Sequence, residues 1–534
     1  MLKKITQTAI SIIQKVKRLI GLSPRQTGNK LIITVEKLER RVALLENGVL
    51  EEYNIERTSD RNIVGSIFKG RVRNIEHGLK AMFVDIGYEK NAFLHFWDAL
   101  PAALDAGIEE VERKSKKQRQ RITAKDIPSI YPVGSEVLVQ VTKGPISTKG
   151  PRISTNISLP GRFLVLMPFS DQCGISRKIE NPKERERLRK ILRELDLPEN
   201  MGIIIRTVGE GQKARYFVRD LAYLVEQWRS IEKQMTEKRA PACVFEEPDL
   251  VERTVRDFLT DEIEEVVCDD EKSVERMREL VAQVSKRSIQ RITHYKEPVP
   301  IFERYGVQKQ IDDAFHRQVW LPCGGYIVID ETEALVAIDV NTGRNKGSKD
   351  VEKTIFVTNM EAAETIARQL RLRNIGGLII GDFIDMKSRK DQQAVFLRMK
   401  DRMRRDKAKT HILPISALGL MEMTRQRAHE SISGSVFTPC PYCVGRGKVK
   451  SSVSMSVEIQ RELHRVLKYY NDVHEVRVQL HPHVLERLRK DDEELLVEIE
   501  RKYAGRLSFR PDPTYHHEKF TIHDTHSNAE LKLV

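Results

Sequence analysis

The chain has 534 residues, 91 Lys and Arg against 77 Asp and Glu, a formal charge of +14 and a pI near 9.3. Its length exceeds one ordinary core, and 40% hydrophobic content suffices to bury several, which excludes a disordered polymer. Six cysteines are too few for a disulfide framework. No apolar run approaches the roughly 20 residues of a membrane span, and the basic excess favours a polyanionic partner over a neutral one.

Residues 1–29 open with an acid-free segment in which Leu2, Ile5, Ala9, Ile12, Ile13, Val16, Leu19 and Ile20 share one helical face. Lys3, Lys4, Lys15 and Arg18 lie opposite. Such a basic amphipathic helix suits an anionic membrane surface, a transit peptide or docking on the protein's own surface, and the sequence leaves these open. Residues 30–61 alternate as strands around the hairpin signal Asn47-Gly48. The short β-rich runs SIFKGRVRNI, LKAMFVDIGY, NAFLHF and SEVLVQVTK in 62–155 predict a small closed barrel, interrupted by a basic loop at 113–125. Residues 156–251 mix strands (GRFLVLMP, MGIIIRTV) with helices, and 252–314 open as a charged helical stretch.

A further unit, 315–436, reads strand, helix, strand: GYIVIDETEALVAIDV, an amphipathic helix, then GGLIIGDFIDM. This order indicates a mixed α/β sheet. A second helix near 390–408 leads into a polar loop, a CPYC segment within 437–452, and a small α/β domain at 453–534. The whole is therefore a multidomain α+β chain.

Two acidic clusters stand at strand ends. Asp339 closes ALVAID two residues before Asn341, while Asp382 and Asp385 follow an apolar strand. If these strands run parallel, their carboxyl ends converge where open α/β sheets bind ligands. Two carboxylates there suit Mg²⁺, which keeps several waters. The plain alternative is a pair of turn-capping aspartates. Cys440 and Cys443 offer half of a tetrahedral Zn²⁺ shell. His481 and His483 are candidates for the other half, as is a second chain donating its own pair. A redox CxxC is the rival, without an evident redox fold around it. Cys173, Cys243, Cys268 and Cys323 stand alone, as buried thiols of a reducing cytoplasmic compartment would.

The runs VAIDVNTGR, ARQLRLRNIGGLIIGDFIDM, GLMEMTRQR and CPYCVGRG together resemble the catalytic region of the ribonuclease E/G family, with similarity over about residues 30 to 520. The resemblance implies a DNase I-like catalytic domain in which Asp339 and Asp382 hold Mg²⁺, Asn341 assists, and Cys440 and Cys443 form a zinc-link shared between subunits. It implies an S1 (OB-type) RNA-binding barrel with Phe83 and Phe93 as stacking aromatics and Lys143 and Lys149 as phosphate partners. Phe83 alternates with Met82 and Val84, which favours exposure over core packing. Arg206 and Thr207, with Gly161, Val165 and Arg177, match a pocket for an RNA 5′-monophosphate, and residues 30–61 and 252–314 an RNase H-like subdomain. In length the chain is nearer the ribonuclease G branch, without the long tail of the larger ribonuclease E proteins.

The resemblance implies a Mg²⁺-dependent, single-strand-specific endoribonuclease of rRNA processing and mRNA decay. It would act as a dimer or tetramer in the cytoplasm, with the amphipathic start leaving room for attachment at the inner membrane face. Two other classes are a catalytically inert RNA-binding or assembly protein and a DNA-directed nuclease. The presence of both aspartates with Asn341 argues against the first, and the S1-like barrel against the second.

Overall fold

The run Leu31-Ile32-Ile33 is apolar without alternation, and all three side chains are buried, which requires cover on both faces of their strand. In the computed structural model that strand is β1 (Asn29–Val35), followed by β2 (Glu39–Glu46) and β3 (Val49–Arg57) in an antiparallel meander. The residues described are 28–58, 63–101, 108–111, 123–145, 149–259, 262–284, 286–345, 351–406, 408–426, 431–470, 472–503 and 505–531. The amphipathic start and most of the basic 113–125 stretch lie outside them. Asn47 and Gly48 both take positive φ, as the predicted two-residue turn requires.

Next come β4 (Ile67–Glu76), β5 (Ala81–Asp85) and β6 (Ala92–His95). β7 (Ile108–Glu110) leaves for the following sheet, and β8 (Glu136–Lys143) and β9 (Arg152–Ser154) return. The order β4-β5-β6-β9-β8, with β4 also paired to β8, closes a five-stranded barrel. Met82, Val84, Leu94, Val139 and Ile153 fill its interior.

The middle sheet joins β7 to β10 (Leu159–Pro160), β11 (Leu164–Pro168), β12 (Gly174–Ser176) and β13 (Met201–Ile205), in the order β10-β11-β13-β12-β7. The long helix Ala214–Glu237 packs on it through Phe217, Leu221, Leu224 and Trp228. β14 (Ala242–Phe245) then adds to the barrel edge at β4.

The charged stretch after residue 252 departs from its helical expectation. Helix Leu250–Phe258 is followed by strand β15 (Ile263–Cys268), helix Glu271–Val284 and strand β16 (Ile292–His294). β15 runs parallel to β1, so Val266, Val267 and Cys268 are buried despite the acids around them. Residues 29–57 are thereby joined to a segment two hundred positions later in one five-stranded sheet, β16-β15-β1-β2-β3.

A six-stranded sheet follows: β17 (Gln318–Trp320), β18 (Tyr326–Glu331), β19 (Leu335–Asn341), β20 (Gly377–Asp382), β21 (Thr410–Ile412) and β22 (Leu420–Arg425). Its order is β17-β18-β19-β20-β22-β21. β21 and β22 occupy what the sequence suggested was polar loop. Helices Val351–Leu372 and Arg389–Met403 cover one face, burying Val336, Ile338, Val340, Ile379 and Met421. The opposite face carries exposed residues, the one-sided burial that gives β19 its alternation.

Residues from Val436 onward form a second compact unit. Helix Ser452–Tyr469, β23 (Glu475–Leu480), helices Pro482–Lys490 and Glu493–Tyr503, β24 (Arg506–Pro511) and β25 (Phe520–Asp524) enclose their own core. Among the described residues no helix is long and apolar enough to cross a membrane.

A buried ion pair fastens β22 to the segment that leads into β21. Arg425 on β22 bonds Asp406 at 2.7 Å, with side chains 6% and 3% exposed, and donates to the Ile375 carbonyl leading into β20. Removing one partner of such a pair strands a buried charge. Asp406→Ala is expected to lose about 3–5 kcal/mol of stability, read as a fall in the denaturation midpoint.

Candidate active site

Apolar strand interiors carry the two aspartates to the same place. β19 and β20 are parallel neighbours, and their register sets Asp339 directly opposite Asp382. Adjacent strands lie about 4.8 Å apart, so both carboxylates leave one face of the sheet side by side. Both are exposed, on the face that the helices leave open. Asn341, next on that face of β19, donates from Nδ2 to Asp339 Oδ2 at 2.7 Å. One Asp339 oxygen is thus engaged by the amide, on a residue that is exposed as Asp382 is. Asp385 sits beyond the strand end and lines an open groove with Ile384, Lys387, Arg389 and Gln392.

This donor set fits a hard divalent cation. Mg²⁺ takes one or two protein carboxylates and keeps waters in its other positions, which an uncovered face provides. Among the described residues no three His, Cys, Asp or Glu side chains are grouped as a ready-made cage.

The barrel residues form a row across strands. Lys143 on β8 faces Arg152 on β9, Arg152 faces Phe93 on β6, and Phe93 faces Phe83 on β5. The two phenyl rings meet edge to face at 5.8 Å and remain half-exposed, whereas Met82 and Val84 are buried. Alternation along AMFVDIG therefore turns Phe83 outward, as read from the sequence. Arg152, not anticipated, completes the row and is held by Asp98 at 2.7 Å. Lys149 is exposed in the loop before it, outside the row.

The phosphate-pocket candidates gather at one end of the middle sheet. Arg206 follows β13, Arg177 follows its parallel neighbour β12, and Val165 faces Ile204 from β11. Arg206 Nη1 donates to the Gly161 carbonyl at 2.6 Å, and Nη2 pairs with Asp257 at 2.8 Å. Thr207 and Arg177 are exposed beside it. Asp220, also not anticipated, organises this end. Its buried carboxylate accepts backbone N–H bonds from Arg162, Phe163 and Leu164, and burial raises its pKa against them. Gly161 is required there, because a Cβ would lie 2.7 Å from Asp220 Oδ2. The available signal was an acid inside the apolar stripe of Phe217, Leu221, Leu224 and Trp228.

In the second unit Cys440 is exposed and Cys443 half-exposed, within a turn well before helix Ser452–Tyr469. Backbone N–H groups of Cys443 and Tyr442 hold the Cys440 thiol below its ordinary range. His481 caps helix Pro482–Lys490 by accepting from His483 N–H, and its ring lies near those of His483 and His517. Neither His481 nor His483 joins the two thiols in a set of three among the described residues. The other cysteines correct a simpler expectation: Cys173 and Cys268 are buried, but Cys243 and Cys323 are only half-buried. All six are free thiols.

Comparison with known proteins identifies the family. The family model described as "Ribonuclease E/G family" matches residues 158–428, and "RNase E/G, Thioredoxin-like domain" matches 439–525. The second match supplies the redox-type fold thought absent around CPYC. The dithiol nevertheless occupies a turn, not the helix N-terminus that activates redox thiols. Ribonuclease G of Escherichia coli K12 is 38% identical over 92% of this chain and 99% of its own length. Ribonuclease G of Haemophilus influenzae is 36% identical over the same shares. Ribonuclease E of E. coli K12 is 39% identical over 81% of this chain but only 40% of that longer protein. With identity spread over nearly its whole length and a family model covering half of it, the chain belongs to the ribonuclease E/G family.

Proposed function

We propose that this endoribonuclease is Mg²⁺-dependent and cuts single-stranded RNA in processing and decay. In this reading a 5′-monophosphate on the substrate stimulates cutting, and the products carry 5′-phosphates. The observation that carries the reading is the register of Asp339 with Asp382, beside Asn341, on an uncovered sheet face. Asp339 and Asp382 would hold the ion, and Asn341 is a positioning residue that fixes which Asp339 oxygen faces it. When bound, Mg²⁺ supplies acidification of water and neutralisation of phosphate charge, the two needs of phosphodiester hydrolysis. Hydrolysis that breaks the P–O3′ bond leaves the phosphate on the 5′ side of the downstream fragment. The exposed face around Asp339 and Asp382 would leave room for an extended single strand.

The other surfaces divide the remaining work. On the S1-type barrel, Phe83 and Phe93 offer faces for bases, while Lys143, Lys149 and Arg152 offer charge for phosphates. On the middle sheet, Arg206 is held by Gly161 and Asp257, so a terminal phosphate would meet a fixed guanidinium, flanked by the Thr207 hydroxyl and Arg177. Gly161 and Val165 would line the same pocket. In the zinc-link, two thiolates per chain supply half a tetrahedral shell, so a second copy completes it and stitches a homo-oligomer.

Cleavage of a 5′-monophosphorylated RNA oligomer in Mg²⁺, set against its DNA equivalent, tests the reading. Asp339→Asn should lower RNA cutting about 1,000-fold or more, and equal cutting by the variant would end the assignment. Arg206→Ala should abolish the preference for 5′-monophosphate over 5′-triphosphate while slow cleavage persists; a retained preference removes the pocket from the account. Cys440→Ser should release Zn²⁺ and reduce the assembly's mass. Metal analysis with gel filtration showing neither change would refute the shared-zinc model.

A further inference from the structure

The uncovered face of the six-stranded sheet holds more than the two aspartates. The chain has three tryptophans. Trp228 is buried in the middle sheet's core, whereas Trp320 is 52% exposed on β17 of the sheet that carries Asp339. Strand register sets Trp320 opposite Tyr326 on β18, and Tyr326 opposite Asn341 on β19. Trp320, Tyr326 and Asn341 therefore form one row across the same face, one step along from the Asp339–Asp382 row. At about 4.8 Å per strand, the indole stands roughly 10 Å to the side of Asn341.

The turn after Asn341 is shaped around this row. Gly343 takes φ +53°, and a Cβ there would come within 3.0 Å of the Tyr326 ring and 2.7 Å of the Gly324 carbonyl. The Arg344 N–H donates to that same carbonyl at 2.9 Å. These contacts bring the Arg344 guanidinium over the indole, 5.4 Å from its ring centre, while Tyr326 buttresses Trp320 edge-on at 5.4 Å. Among the described residues no carboxylate pairs with Arg344. An aromatic face and a cation standing together in the open are the two parts of a stacking site for single-stranded nucleic acid.

We propose that Trp320, with Arg344, stacks an unpaired nucleobase flanking the scissile phosphate, making it a substrate-positioning residue of the cleavage centre. The inference rests on the reading of Asp339 and Asp382 as that centre. Tyr326 holds the indole upright, and Arg344 either sandwiches the base or meets its neighbouring phosphate. Aromatic stacking is worth about 1–3 kcal/mol per base, equivalent to about 5- to 150-fold in binding.

The test measures kinetics and fluorescence on the full chain. With a short unpaired 5′-monophosphorylated RNA, Trp320→Ala and Trp320→Leu should each lose about 5- to 150-fold in kcat/KM, mainly through KM. Trp320→Phe should retain most of it. Leu preserves apolar bulk, so a merely structural role would be rescued by Leu as well as by Phe, and that result would overturn the proposal. In Asp339→Asn protein, RNA should quench tryptophan emission, and part of that quench should vanish with Trp320→Phe. No difference in quench, unchanged kcat/KM in both variants, or a change in assembly mass without a change in KM would each overturn stacking. Failure of the underlying reading shows separately, as cleavage surviving Asp339→Asn.

Discussion

The parallel pairing of β19 with β20 is the constraint on which the rest depends. Parallel neighbours present equivalent ends to the same edge, and in-register residues share a face. The sheet therefore delivers Asp339 and Asp382 side by side with no loop to position them. Placement by strand register costs little flexibility, because the buried alternates Val336, Ile338 and Val340 lock β19 into the helices beneath. A one-residue slip would turn the aspartates into that core and the valines into solvent. The same lock explains why the opposite face carries the exposed residues of β19.

Much of this was legible in the chain. Apolar alternation into Asp339 and the glycine-led strand into Asp382 marked both strands, whereas their parallel pairing entered the sequence reading only as a condition, which the sheet meets. Phe83 was placed outward by simple period-two reasoning. The misses share a cause, since each involves a partner far away in sequence. β15 carries two glutamates and is flanked by acids, so only its pairing with β1, over two hundred residues earlier, makes it a strand. β22 is rich in Met and holds a single β-branched residue, Thr424, yet it pairs along the whole of β20. Asp220 and Arg152 gain meaning only from backbone groups and rings brought in by folding.

Function is distributed over faces that different physics builds. The barrel exposes the Phe83 and Phe93 rings because strand alternation sends Met82, Val84 and Leu94 inward. The middle sheet fixes Arg206 through a buried acid that straightens the backbone beside it. Among the described residues, the six-stranded sheet carries its two helices on one face and the exposed Asp339 and Asp382 on the other. In the proposed reading a net charge of +14 draws polyanions to all three, and the local chemistry of each would sort them into base, phosphate end and scissile linkage.

The most direct measurement is binding of a divalent ion to the protein without RNA. Mn²⁺ shares the carboxylate and water preference of Mg²⁺ and can be followed by water-proton relaxation. A site in the wild-type chain that weakens at least tenfold in Asp382→Asn is the predicted result. Equal Mn²⁺ binding by both proteins would contradict the claim that Asp339 and Asp382 form the metal centre.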